Sequence, residues 1–87
     1  MWIEVQGITW NLDTFRSIRL GSFEGAGYTD VVAEGLDGWS CLATFTGARS
    51  RVRALKAISA ITDGLIGTLE PKAVTEFISK LTEENDE

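Results

Sequence analysis

The spacing of apolar residues changes at Gly47, and this change constrains the fold more than any other feature of the chain. Before Gly47, apolar and polar residues alternate one by one, as in half-buried β-strands. After it, apolar residues recur every three or four positions, as on an amphipathic helix. The sequence therefore predicts an α+β fold in which an antiparallel β-meander is followed by two C-terminal helices packed on the sheet.

Turn signals divide the first half of the chain into five strands. Gly7 and the polar corner at Asp13-Thr14 separate the first three segments. The loop at residues 24–27 reverses the chain, and Asp37-Gly38 is the strongest hairpin signal because a type I′ turn favours this pair. The expected strands of the single sheet cover residues 2–6, 8–12, 16–22, 28–36 and 39–46.

Two amphipathic helices are predicted after Gly47, over residues 49–63 and 71–83. Gly64 suits the end of the first helix. Pro71 suits the first turn of the second, where the missing N–H leaves no hydrogen bond unmade. The apolar positions that define the two packed stripes are Val52, Leu55, Ile58, Ile61 and Leu65, with Ala54 and Ala57, in the first helix and Val74, Phe77, Ile78 and Leu81 in the second.

The hairpin around Asp37-Gly38 has two dissimilar faces if its strands pair without interruption. One face is large and aromatic and carries two acids; its members are Tyr28, Asp30, Val32, Glu34, Leu36, Trp39, Cys41, Ala43 and Phe45. The opposite face is small and half polar. Because neither face suits bulk water, we expect helices over one and a partner surface, or sheet curvature, over the other.

Composition excludes several kinds of chemistry. The 87 residues include no histidine and a single cysteine, Cys41, which rules out Ser-His triads, two-His metal sites, four-Cys clusters and internal disulfides. Cys41 is expected to be a small buried hydrophobe. No apolar run approaches the roughly 18 residues of a membrane span, and residues 1–4 lack the basic region of a signal peptide. We expect a cytoplasmic, non-enzymatic protein with no cofactor, no metal and no membrane contact.

Negative charge is concentrated at the C-terminus. The chain carries 8 Lys and Arg against 13 Asp and Glu, a net charge of −5, and four of the acids fall within residues 83–87. We expect one domain over residues 1–87 in which 83–87 form a frayed, solvated acidic tail. An acidic hook for a basic partner is the alternative interpretation of this segment.

Positive charge is concentrated at the start of the first predicted helix. Arg49, Arg53 and Lys56 fall within about 60° of one another on a helical projection and predict one exposed basic stripe. The stripe would suit phosphate or an acidic peptide, so a ligand- or nucleic-acid-binding module is one hypothesis. A solvated helix face is the simpler interpretation, because nucleic-acid binders are usually basic overall, and we expect no nucleic-acid partner.

Aromatic residues support the main hypothesis about function. Large aromatic side chains are typical of interface centres, although they also fill small cores. The candidate interface residues are Trp2, Trp10, Tyr28, Trp39 and Phe45. We therefore expect a small interaction protein that self-associates, most simply as a homodimer, and that binds another protein through an aromatic sheet face or an edge.

Overall fold

The computed structural model describes residues 1–22 and 27–83, and it has the predicted order of elements. The strands are β1 (Trp2–Val5), β2 (Ile8–Asn11), β3 (Phe15–Ser22), β4 (Tyr28–Gly35) and β5 (Gly38–Thr46), and the helices are α1 (Ser50–Leu65) and α2 (Pro71–Glu83). The α+β class is confirmed, and every boundary lies within about two residues of its prediction. Most of the predicted loop at 24–27 and of the tail at 83–87 lies outside the described residues.

The strands form two antiparallel sheets where the sequence predicted one. β1 and β2 make a two-stranded hairpin, and β3, β4 and β5 make a three-stranded sheet in that order. A 3-10 helix, Leu12–Thr14, separates the two; the Asn11 side chain accepts a hydrogen bond from the Asp13 N–H at its start. This capped turn redirects the chain before β2 can pair with β3. The described strands therefore do not form a five-stranded meander.

Gln6 connects the two sheets. It lies in the β1–β2 turn with a positive φ of 51°, followed by Gly7 with a φ of 84°. Its side-chain Nε2 donates to the Thr44 carbonyl, and its Oε1 accepts from the Thr44 N–H, each at 3.2 Å. One carboxamide thus holds both backbone groups of Thr44, as a neighbouring strand would, at the outer edge of β5.

A β-bulge interrupts β5. Val31 of β4 pairs with Ala43, whereas Val32 pairs with Cys41, so Leu42 is an extra residue in β5. Leu42 and Ala43 are neighbours in sequence, yet each is only 3% exposed. The bulge thus shifts the alternation of β5 by one residue from Ala43 onwards.

This shift corrects the predicted faces of the hairpin. Ala43 and Phe45 lie on the inner face of the sheet, where Phe45 is 2% exposed. Tyr28 and Trp39 lie on the opposite, outer face. The expectation that all four share one face is wrong, because it assumed pairing without a bulge.

The core lies between the inner face of the three-stranded sheet, the two helices and β1. α1 packs on β3, β4 and β5, whereas α2 packs on β1 and on α1. The two helices therefore cover different sheets, and neither has the length and hydropathy to cross a membrane. The buried apolar residues are Ile3, Val5, Leu12, Val31, Ala33, Leu42, Ala43, Phe45, Ala54, Ala57, Ala60, Ile61, Val74, Ile78 and Leu81.

Gly64 lies where α1, α2 and the N-terminal residue approach one another closely. A Cβ atom at Gly64 would meet Val74 Cγ2 at 2.8 Å and Met1 Sδ at 2.9 Å. Gly64 does not end α1, which continues to Leu65; the positive φ of 86° that ends the helical region is at Gly67. The glycine at 64 is therefore required for close helix packing.

Candidate functional site

The outer face of the three-stranded sheet is the surface that the structure offers for recognition. β4 alternates between buried residues on the inner face and half-buried ones on the outer face, and both helices pack elsewhere. We define the outer face by the strand register; its members are Ser17, Arg19, Gly21, Tyr28, Asp30, Val32, Glu34, Trp39, Cys41, Thr44 and Thr46. It mixes two aromatic rings with charges of both signs.

Arg19 and Trp39 stack on the outer face near the turn between β4 and β5. The guanidinium carbon of Arg19 lies 4.2 Å from the centroid of the Trp39 ring. Arg19 pairs with Val32 and Trp39 pairs with Glu34, so the two side chains approach each other diagonally across β4. The stack orders a ring that is still 48% exposed.

A group of polar contacts fixes the other end of the outer face. Thr44 Oγ1 donates to Asp30 Oδ1 at 2.8 Å, and Cys41 Sγ lies 3.5 Å from Thr44 Oγ1. Cys41 is exposed, so the expectation that it is buried is wrong. Its position before the bulge places it on the outer face, next to Val32.

The five predicted interface aromatics do not form one surface. Trp39 and Tyr28 share the outer face, but Tyr28 lies six positions along β4 from Glu34, the pairing partner of Trp39, a distance of roughly 20 Å. Trp2 is 62% exposed on β1 and Trp10 is half-buried in the hairpin, whereas Phe45 is in the core. Trp39 is therefore accessible for an interface on the outer face, whereas Phe45 is not.

Burial of Arg53 divides the basic stripe predicted on α1. Arg53 is 5% exposed, and its guanidinium donates to the carbonyls of Thr46, at the end of β5, and Leu81, in the last turn of α2. A helix end carries unpaired carbonyls and partial negative charge, which a guanidinium satisfies. Arg49 and Lys56 are exposed on either side, so the prediction of one exposed stripe is wrong at its middle residue.

The packed face of α1 consists mostly of small residues, with Arg53 and Ile61 buried among them. Arg53, Ala57, Ala60 and Gly64 recur at i, i+4, i+7 and i+11, and this spacing is the signal in the sequence for the buried side of the helix. Three of the larger apolar residues that were predicted to pack on the sheet are exposed instead; they are Val52, Leu55 and Leu65.

A groove of about 480 Å³ runs between α1 and α2. Its walls include Ala60, Leu69 and Phe77, with Lys56 and Asp63 on the α1 side. The volume falls in the range of small-molecule sites. Both charged side chains of the lining belong to α1, however, and the α2 wall is apolar. The lining offers no nucleophile paired with a base.

No three His, Cys, Asp or Glu side chains within residues 1–22 and 27–83 come close enough to share a metal ion. Comparisons with protein-family models, curated proteins and solved structures give no match to the chain. The candidate site is therefore defined by the surfaces of the molecule itself.

Proposed function

We propose that the protein is a cytoplasmic, non-enzymatic interaction module that self-associates through the outer face of its three-stranded sheet. The observation that carries the proposal is the Arg19–Trp39 stack, which holds a half-exposed indole on this face. Tryptophan and arginine are the residues most enriched at energetically dominant interface positions. A stacked ring also loses little conformational freedom on binding, which favours association.

The charges of the outer face suit contact between two copies. Arg19 lies on β3, while Asp30 and Glu34 lie on the neighbouring strand β4. In a two-fold interface each surface meets its own copy, so Arg19 of one subunit can meet Glu34 or Asp30 of the other, and the reverse. Apolar area from Trp39 and Val32 would be buried between these charge pairs.

The alternative function, a nucleic-acid-binding module, has less support. It required Arg49, Arg53 and Lys56 to form one exposed surface, and the guanidinium of Arg53 is instead buried against backbone carbonyls. The single exposed Cys41 is compatible with a reducing compartment, where an unpaired thiol persists.

The mass of the protein in solution tests the proposal. Light scattering from about 10 µM to about 1 mM is expected to show a dimer for the unmodified chain. Trp39→Ala removes the stacked ring and is expected to give a folded monomer. Trp2→Ala is the matched control, because Trp2 is also exposed but lies in the other sheet.

Two outcomes would contradict the proposal. One is a monomeric mass for the unmodified chain at the highest concentration. The other is a dimer that survives Trp39→Ala but is lost in Trp2→Ala, which would place the interface on the β1–β2 hairpin.

A further inference from the structure

The two edges of the three-stranded sheet differ in their access to another strand. At the outer edge of β5, Gln6 occupies the backbone N–H and C=O of Thr44. At the other edge, β3 pairs with β4 and with no further strand of the described chain. Unpaired backbone groups along an edge strand are a template for an added strand.

An apolar flank of α1 lies beside this open edge. Ile18 of β3 and Ile58 and Leu65 of α1 line a shared groove of about 180 Å³. Leu55 precedes Ile58 by three residues and so lies on the same flank, and both Leu55 and Leu65 are nearly half exposed. A strand added beside β3 would therefore find apolar contacts for the side chains on its inner face.

The open edge is positively charged. Arg16 and Arg19 are the charged residues of Phe15–Ser22, and Arg16 is exposed as the extra residue of a bulge between Phe15 and Ser17. Arg51 precedes Ile58 by about two helical turns and therefore adds a positive charge to the same flank of α1. None of these three arginines forms an ion pair with an acid of the described residues.

We infer that the outer edge of β3 binds an extended segment of a partner protein in which acidic and apolar side chains alternate. The added strand would place its acids on the outer side, opposite Arg19 and near Arg16. Its apolar side chains would face inward beside Ile18 and contact Ile58 on the flank of α1. Backbone hydrogen bonds to β3 supply affinity, and the alternation of side chains supplies specificity.

Charge favours this occupant over a second copy of the chain. Two β3 strands side by side would bring Arg16 and Arg19 of both copies, four guanidinium groups, into one seam. Like charges on neighbouring strands disfavour pairing, and arginine on an edge is a common protection against self-association. The acids of an added strand would instead lie close to Arg16 and Arg19, which have no acid partner in the described chain. The inference concerns the edge and does not rest on the proposed dimer of the outer face.

The test uses a peptide of about ten residues in which Glu and Val alternate, with a Lys-Val peptide of equal length as the control. Each peptide is titrated into the full chain, and binding is followed by the chemical shifts of the backbone amides. We expect saturable binding of the Glu-Val peptide with a Kd below about 1 mM, and shifts confined to residues 16–22 and the flank of α1.

Charge reversal at the edge is then compared with charge reversal elsewhere. Arg16→Glu is expected to weaken binding of the Glu-Val peptide by about tenfold or more. Lys72→Glu, on exposed Lys72 of α2, changes the net charge equally and is expected to weaken it by less than about twofold. Neither variant is expected to change the mass of the protein, so failure of the edge proposal is distinguishable from failure of the outer-face dimer.

Several results would overturn the inference. They are no binding of the Glu-Val peptide at about 1 mM, equal binding of the Lys-Val peptide, or shifts that map to the groove between α1 and α2. A dimer in which the β3 amides are protected without any peptide would show that a second copy occupies the edge.

Discussion

On each side of the three-stranded sheet, one arginine lies beside one aromatic ring of the sheet. The inner arginine comes from α1 and the outer one from β3, and the two pairs have opposite environments. On the inner face, Arg53 lies 6.0 Å from the ring of Phe45, and both side chains are almost completely buried. On the outer face, Arg19 lies 4.2 Å from the ring of Trp39, which is half exposed. The same combination of arginine and aromatic ring is thus part of the core on one side and leaves a half-exposed ring on the other. The two pairs differ in their burial and not in the kind of side chain that they contain.

The largest difference between the two faces is expected from truncating their rings. Phe45→Ala leaves a cavity between β5 and α1 and is expected to lower the free energy of unfolding by about 3 to 5 kcal/mol. Urea unfolding measures the loss, and Phe45→Leu, which keeps most of the volume, is expected to lose less. A loss below about 1 kcal/mol would mean that Phe45 is not a core residue.

The arginine of the inner face is expected to have the next largest effect. Arg53→Ala removes the donor to the carbonyls of Thr46 and Leu81 and is expected to lower the free energy of unfolding by about 2 to 3 kcal/mol. Arg19→Ala is the control from the outer face, where the expected loss is under about 1 kcal/mol. Equal losses in the two variants would contradict the contrast between the faces.

The close packing of α1 against α2 is tested at Gly64. Gly64→Ala gains helix propensity but places a Cβ at 2.8 Å from Val74 Cγ2, on a stiff and fully buried side chain. We expect a net destabilisation of about 1 kcal/mol in urea unfolding. Ser59→Ala, at an exposed position of α1, is the control and is expected to be neutral or slightly stabilising. A stabilised Gly64→Ala variant would show that α2 adjusts freely.

The smallest effect is expected for the coupling between Arg19 and Trp39. A double-mutant cycle with Arg19→Ala and Trp39→Ala, measured by unfolding at low protein concentration, is expected to give about 0.5 to 1 kcal/mol. The low concentration keeps association out of the measurement. A coupling of zero would show that the stack does not order the indole ring in the free protein.

The elements of this fold were predictable because their signals are local. Alternation up to Gly47 and helical spacing after it placed every strand and helix to within about two residues. Asn11 before a polar corner was also a readable cap signal for the 3-10 helix that separates the sheets. The position of Gln6 on Thr44 was not predictable, because the two residues lie 38 positions apart.

The features of the site that the sequence did not predict depend on register and on distant contacts. Cys41, Leu42 and Ala43 are all apolar, so nothing in the alternation marks Leu42 as the extra residue of a bulge. Arg53 is buried because α2 brings the Leu81 carbonyl to it across 28 positions of sequence. Trp39 shares a face with Asp30, Val32 and Glu34, as the predicted pairing had it, because it lies before the bulge.

The contact between Gln6 and Thr44 also has a consequence for solubility. Gly38–Thr46 contains no charged residue and no proline and is rich in residues that favour β-structure, a composition prone to fibril formation when its backbone is open. The carboxamide of Gln6 closes this backbone at Thr44 without extending the sheet, because a side chain cannot propagate a ladder. A single residue in a turn of the first hairpin thereby removes two backbone groups from the exposed edge of an aggregation-prone strand.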